Sequence, residues 1–547
     1  MTLSGIEIFG ALVMAGGVLF APGYVVLRLI SRITGVEARL RQATAISTAA
    51  LSLALTLSLV PMLWLGATYL GARWTAGAIS LTWLALCVIA LAWAAGDAWR
   101  LGRARPLANA EARSVPGRWI PGAALAVLLV GGLLARLYAV RDLAYPAWVD
   151  SPHHDLIVRL LMSSGHIPES YDPLMPVTPF SYHFGFHAVA AVFVWLTGLP
   201  SSDGVLILGQ VLNGLMPLSA FAFALGMTRR PWVAVGAAAI VGWVSLFPGY
   251  YVSWGRYTQL TGLVILGPLL GWLTAFANAR SADGSETESP ATRWGQAILL
   301  GILAAGLIYA HYRILAFALT YGLALLAVNR RGTWRVWGLA GGVTLLLSGP
   351  WLWRLALVWV APRLSNPESY LAAAGYNDFP WQYFDNWLER GWWGIAALGA
   401  GVGLVRRDRA IGLIAFWAAL TTVLLNIPGA GSWVVNNNSW AISAFLPGSV
   451  AAGYGLEQLG YGVIRLWRYP VGVPVRPFDR ARRLLSVVVG LIWAAASGVG
   501  LVRGIQGQAA ILNTRTVLAL PADRVAITWL RQNLPSDAMI VVNSWYW

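Results

Sequence analysis

The most regular feature of the chain is a series of continuous apolar runs, separated by short polar segments. A run of about 20 apolar residues can cross a bilayer as a helix, whereas a transmembrane β-strand would show alternating apolar and polar positions. The pattern therefore predicts an all-α polytopic membrane protein with about 14 transmembrane helices. The predicted spans are Ile8–Ile30, Thr44–Leu65, Thr75–Ala95, Ile120–Val140, Val205–Met227, Trp232–Leu246, Thr261–Ala277, Trp294–Tyr309, Ile314–Val328, Val336–Val358, Gly391–Val405, Ala410–Ile427, Trp440–Ile464 and Leu484–Val502.

Composition supports this class and excludes others. The chain is 58% hydrophobic and 11% charged, with a net charge of +16 and a mean hydropathy of +0.64. All 38 basic residues are arginine, and most stand between apolar runs. The positive-inside rule explains such clusters, so no nucleic-acid partner is expected. A single cysteine, Cys87, excludes a disulfide or a thiolate metal site within the chain.

The placement of arginine predicts the orientation of the spans. Every second loop is arginine-rich, and these loops should face the cytoplasm. Both termini and the alternate loops are then expected outside, and the chain is expected in the cell membrane, plasma or inner, as a multi-pass protein with an extracytoplasmic active site. The expected cytoplasmic loops contain Arg32–Arg41, Arg100–Arg118, Arg229–Arg230, Arg330–Arg335, Arg406–Arg409 and Arg465–Arg483.

The first long outer loop, residues 141–204, differs from the rest of the chain in its polarity. It contains five of the six histidines and several carboxylates. Ser151 as N-cap and Pro152 at the first helical position predict an amphipathic helix lying on the membrane surface. A second segment, Tyr182–Leu196, is apolar enough to lie flat or to dip inward. After Arg503, a helix from Pro521 and a strand at 538–542 predict a short α/β outer segment, the start of a soluble domain.

Two carboxylates of this loop are candidates for catalysis. Asp150 has no basic residue at helical spacing and stands near a helix N-terminus, where the dipole favours an ionised carboxylate. An ionised aspartate suits a general base or a metal ligand, and the alternative is a simple helix cap. Asp155 is the second candidate, but Arg159 lies four residues further on, and the two can form an ordinary helical ion pair.

Two outer arginines, Arg256 and Arg313, lie close to membrane spans against the overall charge bias. A guanidinium at a membrane surface indicates an anionic partner, and a lipid phosphate suits it. The alternatives are snorkelling towards headgroups and pairing with a carboxylate. The neighbours that could complete the phosphate site or bind sugar are Trp254, Tyr257, His311, Tyr312 and Asn437, although the last also suits a turn.

The histidines suggest a metal site of low specificity. His183 and His187 are four residues apart and would share one helix face. With His154 and Asp150 they could bind a divalent ion such as Mg, Mn or Zn. The cofactor therefore stays open, because interfacial histidines often serve only as hydrogen-bonding groups. Glu457, inside a predicted span, is a functional candidate as an intramembrane carboxylate, but its place near the cytoplasmic end favours a structural role or a pair with Arg465.

Four further features follow one another along the chain: a helix leading into a long loop with an early acid (WVD, ending at Asp150), a basic turn at 228–231, a loop beginning at a proline (FPGYYVSWGRY) and the late segment ITWLRQNLPSDAMIVV. In these features the chain resembles the GT-C superfamily of membrane glycosyltransferases, which includes polyprenyl-phosphate-sugar mannosyltransferases and the catalytic subunit of oligosaccharyltransferase. The resemblance covers residues 120–547. The superfamily often has two closely spaced acids in the first loop, whereas Asp150 and Asp155 are five positions apart.

The resemblance implies a function and a division into domains. The donor would be a polyprenyl-phosphate-linked sugar, and the acceptor a glycan, lipid or protein outside the cytoplasm. Residues 1–119 would be an N-terminal three-helix membrane extension, 120–505 the GT-C-like domain with the catalytic loop 141–204, and 506–547 the outer segment. Two alternatives remain: a transporter or flippase for a lipid-linked substrate, and a non-catalytic scaffold subunit of a membrane complex.

Overall fold

The computed structural model describes residues 3–35, 45–104, 119–282, 289–362, 377–427, 435–467, 477–535 and 537–540. This part of the chain is helical and contains no strand. Its α-helices are α1 (Gly5–Thr34), α2 (Ala45–Tyr69), α3 (Ala76–Ala104), α4 (Ile120–Ala139), α5 (Asp150–Ser164), α6 (Gly185–Thr197), α7 (Ser201–Thr228), α8 (Pro231–Ala239), α9 (Tyr257–Ala282), α10 (Pro290–Ala310), α11 (Tyr312–Val328), α12 (Arg330–Leu355), α13 (Trp387–Val405), α14 (Arg409–Leu425), α15 (Asn437–Ala441), α16 (Phe445–Trp467), α17 (Pro477–Ala509) and α18 (Pro521–Asn533).

The helices coincide with the apolar pattern of the sequence. Each of the predicted spans overlaps a helix, and Thr44 lies outside the described residues. The span predicted at Trp232–Leu246 continues past α8 as a π-helix, Ile240–Val244. The span predicted at Trp440–Ile464 is interrupted between α15 and α16. Within the described residues, 9 helices are long and apolar enough to cross a membrane. The chain is therefore an all-helical, multi-pass membrane protein.

Helices α7 and α9 form the centre of the bundle. In their most apolar windows, 94% and 89% of the residues are buried, compared with 11% in α3 and α12. The two central helices cross where Gly226 faces Gly271, and a Cβ on Gly226 would come within 2.5 Å of the Gly271 carbonyl oxygen. One continuous core joins buried residues from Ala11 in α1 to Tyr454 in α16. The domain division given above stays a prediction.

Loops predicted on the same side of the membrane contact one another. At one end, the N–H of Trp74 donates to the Gly165 carbonyl at 2.7 Å, and the N–H of Trp148 donates to the Thr516 carbonyl at 2.8 Å. At the opposite end, the Thr292 hydroxyl donates to the Thr34 carbonyl at 3.1 Å. The bundle thus has two distinct ends, which we call the histidine end and the arginine end after their most characteristic side chains.

The first long loop is more deeply packed than the sequence predicted. Helix α5 begins at Asp150, and the Ser151 hydroxyl donates to the Ala147 carbonyl, so Ser151 is not the N-cap. The apolar stripe of α5 is buried in the protein core, with Leu161 fully buried. Helix α6 is also buried, so the predicted segment Tyr182–Leu196 enters the bundle and does not lie flat. Close packing with α6 and α7 covers the stripe that was expected to face lipid.

The C-terminal segment is only partly as predicted. The helix expected from Pro521 is α18, and Arg524 on it pairs with the buried Asp203 at 3.3 Å. The strand predicted at 538–542 is not formed at residues 538–540, where Met539 is 93% exposed. A strand needs a hydrogen-bonded neighbour, and the described residues form none. Val541 and Val542 lie outside the described residues.

Candidate active site

Asp150 lies at the N-terminus of α5, directly after a sharp turn of the chain. The turn is made at Trp148, whose φ of 68° lies in the left-handed region. The hydrogen bond from Trp148 to Thr516 fixes this turn against the C-terminal segment. Burial raises the pKa of Asp150 above its usual range, although the positive charge of nearby Arg256 opposes the rise. The structure thus brings Asp150 close to an arginine that is 106 positions away in the sequence.

Arg256 is held in a turn that α5 supports. The preceding residue, Gly255, has a φ of 61°, and a Cβ there would lie 2.4 Å from the Ser151 hydroxyl oxygen. The carbonyl of Gly255 accepts a hydrogen bond of 2.8 Å from Nε2 of His154. The guanidinium of Arg256 lies 5.2 Å from the ring of Trp254 and donates to Gln259 at 3.2 Å. Among the described residues, its buried Nε has no hydrogen-bond partner.

A series of hydrogen bonds leads from Arg256 towards Arg313. Gln259 donates to the Ser443 hydroxyl at 3.0 Å, and this hydroxyl donates to the Ser439 carbonyl at 2.8 Å. Arg313 then donates to the Ser439 hydroxyl at 3.2 Å. The two arginines predicted to bind a phosphate therefore belong to one polar network at the histidine end.

Four of the histidines, His154, His183, His187 and His311, form a buried cluster next to this network. His154 uses Nε2 towards a carbonyl, so in the neutral ring Nδ1 accepts, and Nε2 of His187 donates to it at 2.8 Å. Burial lowers the pKa of His154 to about 4, so its ring is neutral at pH 7. His183 is hydrogen-bonded to Thr258 at 3.0 Å, and its ring centroid lies 4.5 Å from that of His311.

The predicted metal site is not assembled. Within the described residues, no group of three or more histidine, cysteine, aspartate or glutamate side chains is arranged to hold a metal ion. Both ring nitrogens of His154 are engaged in hydrogen bonds within the protein. The expectation that His183 and His187 share a helix face was wrong, because α6 begins only at Gly185. His154, His183 and His187 are therefore not arranged as ligands of one metal ion.

The remaining predicted site residues have different positions. Asp155 is buried and pairs with Arg159 at 3.3 Å, as helical spacing predicted. The ring of Tyr257 is buried and stacks on Phe186 at 5.3 Å, away from solvent. Tyr312 is 40% exposed at the rim, beside His311.

Asn437 is also held within the protein. Its side-chain amide donates to the Asn377 carbonyl at 2.6 Å and to the Asn426 side chain at 2.8 Å. Both amide hydrogens are thus engaged in fixing the loops of this end. The hydrogen bonding of Asn437 is structural in this arrangement.

Sequence reasoning missed several polar residues of the site. Gln259 follows Arg256 by one helical turn, and that spacing could have indicated it. Tyr182 lies close enough to Asp150 for the carboxylate charge to raise its pKa further above the value set by burial. Glu389 is buried, accepts hydrogen bonds from Leu246 and Trp392, and has its pKa raised by burial to about 7. Only the tertiary structure could place Tyr182 and Glu389.

An apolar cavity of about 630 Å³ lies next to the polar network. Helices α13, α14 and α16 form its walls, mainly with alanine side chains, and aromatic residues from Phe379 to Phe384 cover one side. Trp440, the neighbour of Ser439 in the sequence, lines it. The cavity therefore begins one residue from the hydroxyl that Arg313 contacts.

Comparison with solved structures gives the fold. The apo oligosaccharyltransferase of Archaeoglobus fulgidus aligns with 78% of this chain and 59% of its own, at a TM-score of 0.53 and 12% identity. The archaeal oligosaccharyltransferase AglB of the same organism, in complex with an inhibitory peptide and a dolichol-phosphate, aligns with 77% of this chain and 59% of its own, at 0.51 and 13%. ArnT from Cupriavidus metallidurans, with 17% identity over 74% of this chain and 76% of its own, has a TM-score of 0.39, which is too low to establish a shared fold.

Comparison of the sequence alone, by contrast, gives no match: no protein-family profile and no curated protein sequence matches the chain. This chain spans about 59% of the length of the oligosaccharyltransferases that it resembles in structure. The resemblance predicted from the sequence is confirmed at the level of the fold: the chain is a multi-pass membrane protein that shares its fold with the archaeal oligosaccharyltransferases.

Proposed function

We propose that the chain is a membrane glycosyltransferase that takes a sugar from a polyprenyl-phosphate-linked donor and passes it to an acceptor outside the cytoplasm. The observation that carries the proposal is the meeting of Asp150 with Arg256 at the histidine end of a GT-C fold. A carboxylate and a guanidinium within electrostatic reach of each other can serve the two halves of such a transfer.

Asp150 would act as the general base. The acceptor hydroxyl or amide attacks the anomeric carbon of the sugar, and the bond from this carbon to the phosphate oxygen breaks. The proton of the acceptor passes to Asp150, and the lipid phosphate leaves with the bonding electrons. Because burial raises the pKa of Asp150, the carboxylate is a stronger base than an exposed aspartate.

Arg256 and Arg313 would bind the lipid phosphate. A guanidinium binds phosphate oxygens through two parallel hydrogen bonds, and these strengthen as negative charge develops on the leaving group. The network through Gln259, Ser443 and Ser439 holds the two side chains in place before the donor arrives. The solved structure of AglB is a complex with an inhibitory peptide and a dolichol-phosphate, and the latter is a ligand of this chemical class.

The apolar cavity of about 630 Å³ suits the lipid tail of the donor. Its walls are formed mainly by small side chains from α13, α14 and α16, which leave a smooth apolar surface for an isoprenoid chain. The position of Trp440 between this cavity and the Ser439 contact of Arg313 links the tail region with the phosphate region.

Reconstitution of the purified full chain tests the proposal. The chain would be placed in nanodiscs with a polyprenyl-phosphate-linked hexose and a mixture of extracted lipid and peptide acceptors, and released polyprenyl phosphate measured by mass spectrometry. We expect sugar transfer by the wild type and a loss of about 10²–10⁴-fold in the Asp150→Asn variant, as for removal of a general base.

The matched control is Asp142→Asn. Asp142 lies in the same loop, its side chain is 83% exposed, and it pairs with Arg141 at 3.2 Å. We expect this variant to keep wild-type activity. Full activity of the Asp150→Asn variant would show that Asp150 is not the general base. Movement of the intact donor across a vesicle membrane without sugar release would support the transporter instead.

A further inference from the structure

A second cavity, of about 870 Å³, lies at the arginine end of the bundle. It is formed where α7 and α13 end, where α14 begins and beside α11. Three arginines line it: Arg229, Arg407 and Arg409. Nothing in the proposed sugar transfer uses this region, which is at the other end of the bundle from Asp150.

The three arginines bring uncompensated positive charge to the cavity. All three are exposed, and their guanidinium groups form no ion pair or hydrogen bond within the described part of the chain. Asp408 is the acidic residue of the lining, and its carboxylate is engaged elsewhere. It accepts from the backbone of Ala410 and Ile411 and pairs with Arg230 at 3.3 Å.

The backbone at two of these arginines supports a role in binding. Arg229 and Arg407 have φ angles of 56° and 55°, in the left-handed region where helix ends favour glycine. The helix dipole favours a cation near a C-terminus, but it does not require the left-handed residue itself to be the cation. Residues held in such conformations cluster at ligand sites, where the side chain is needed.

The cavity also has an apolar side. Val328 and Leu404 line it and are 62% and 51% exposed on the surface of the bundle. In a membrane-spanning bundle, such side chains face lipid hydrocarbon. A ligand bound in the cavity would contact the arginines at one end and membrane lipid along the side lined by Val328 and Leu404. The volume of the cavity lies within the range of small-molecule sites.

We propose that this cavity binds the phosphate of an anionic phospholipid, with the headgroup between Arg229, Arg407 and Arg409 and an acyl chain along Val328 and Leu404. Arginine is suited to phosphate because its fork of donors matches the phosphate oxygens. The site would hold a bilayer lipid at the end opposite the proposed transfer site, and it does not depend on the proposed function.

The test uses the double variant Arg229→Gly/Arg407→Gly. Glycine adopts positive φ without steric cost, so the variant removes two guanidinium groups without straining the backbone. The full chain would be purified from nanodiscs of phosphatidylcholine with added phosphatidylglycerol, and retained lipid counted by native mass spectrometry. We expect the wild type to retain phosphatidylglycerol and the double variant to bind it about tenfold more weakly.

The control variant is Arg406→Gln. Arg406 stands in the same loop, but it donates to Gln458 and does not line the cavity. We expect wild-type retention of phosphatidylglycerol for this variant. Equal retention by the double variant, equal retention of phosphatidylcholine, or competition by inorganic phosphate with no lipid bound would each overturn the proposal. An unchanged melting temperature of the double variant shows that the loss is not unfolding.

Discussion

The two ends of the bundle use arginine in different ways. At the arginine end, Arg230 donates to the carboxylates of Asp408 at 3.3 Å and Glu457 at 3.2 Å, so its charge is balanced within the protein. At the histidine end, Arg256 donates to the neutral amide of Gln259. Its charge acts on Asp150 across the site, without an ion pair among the described residues. One cation holds helices together, and the other keeps its charge available for a ligand.

This difference separates stability from function. A guanidinium bonded to two partly buried carboxylates contributes mainly to folding, because its removal leaves two negative charges unbalanced. Replacing a guanidinium held by a neutral amide should cost the protein little folding free energy, but it removes a positive charge from the site. Substitutions at the two ends should therefore change different measured quantities.

The largest effect is expected from replacing both arginines of the proposed phosphate site. A hydrogen bond to a charged group is worth about 1.5–3 kcal/mol, so the loss of one such bond from each arginine in Arg256→Gln/Arg313→Gln should weaken donor binding by about 10²–10⁴-fold. The measurement is the KM for the polyprenyl-phosphate donor, together with the melting temperature, which should change little. The control is Arg141→Gln, because Arg141 is half-exposed at the same end and pairs with the exposed Asp142 at 3.2 Å. Unchanged KM in the double variant would remove both arginines from the site.

The second effect concerns stability at the arginine end. Removing one partner of a buried ion pair costs about 3–5 kcal/mol, and an exposed pair contributes about 0–1 kcal/mol. The side chain of Arg230 is 39% exposed and that of Glu457 is 7% exposed, so Arg230→Gln should lower the free energy of unfolding by about 1–3 kcal/mol. Activity per folded molecule should not change.

Thermal unfolding in the same detergent measures this stability effect. Arg330→Gln serves as the control, since Arg330 is exposed at the same end. The comparison of the two ends would fail if Arg230→Gln reduced donor binding without reducing stability.

The sequence predicted what depends on local pattern. Apolar runs located the helices, and the spacing of Asp155 and Arg159 predicted their ion pair, because both signals lie within a few turns of one helix. The superfamily resemblance pointed to the GT-C fold. Asp150 could be proposed from its position before a helix, and Arg256 from its place at a membrane surface.

The sequence could not predict pairings made by tertiary packing. Glu457 was expected to pair with Arg465, but its partner is Arg230, 227 positions away. The metal-site prediction assumed that the helix of His187 begins before His183, whereas the chain enters α6 only at Gly185. Helix starts depend on local packing as well as on sequence, so a spacing of four residues was not sufficient evidence for a shared face.

A smaller effect is expected on the pH dependence of transfer. The base must be ionised, so activity falls as the pH decreases through the pKa of Asp150. Burial raises this pKa and the charge of Arg256 lowers it, so Arg256→Gln should raise the pKa further. The acid limb of the pH–activity profile should then move to higher pH. Arg141→Gln is the control and should leave the limb in place. A limb that does not move in Arg256→Gln would show that Arg256 does not act on the base.

The smallest effect is expected at the second carboxylate of α5. Asp155 is buried, and the half-exposed Arg159 pairs with it one helical turn away, as Arg230 pairs with its carboxylates. Unlike Arg230→Gln, Asp155→Asn removes the buried charge itself and leaves only the half-exposed Arg159 unpaired. The free energy of unfolding should therefore change by less than about 1 kcal/mol and the transfer rate by less than about twofold. The rate and the melting temperature are measured beside those of Asp150→Asn. If Asp155→Asn lost as much activity as Asp150→Asn, the ion pair would not be merely structural, and the chemistry would require both carboxylates.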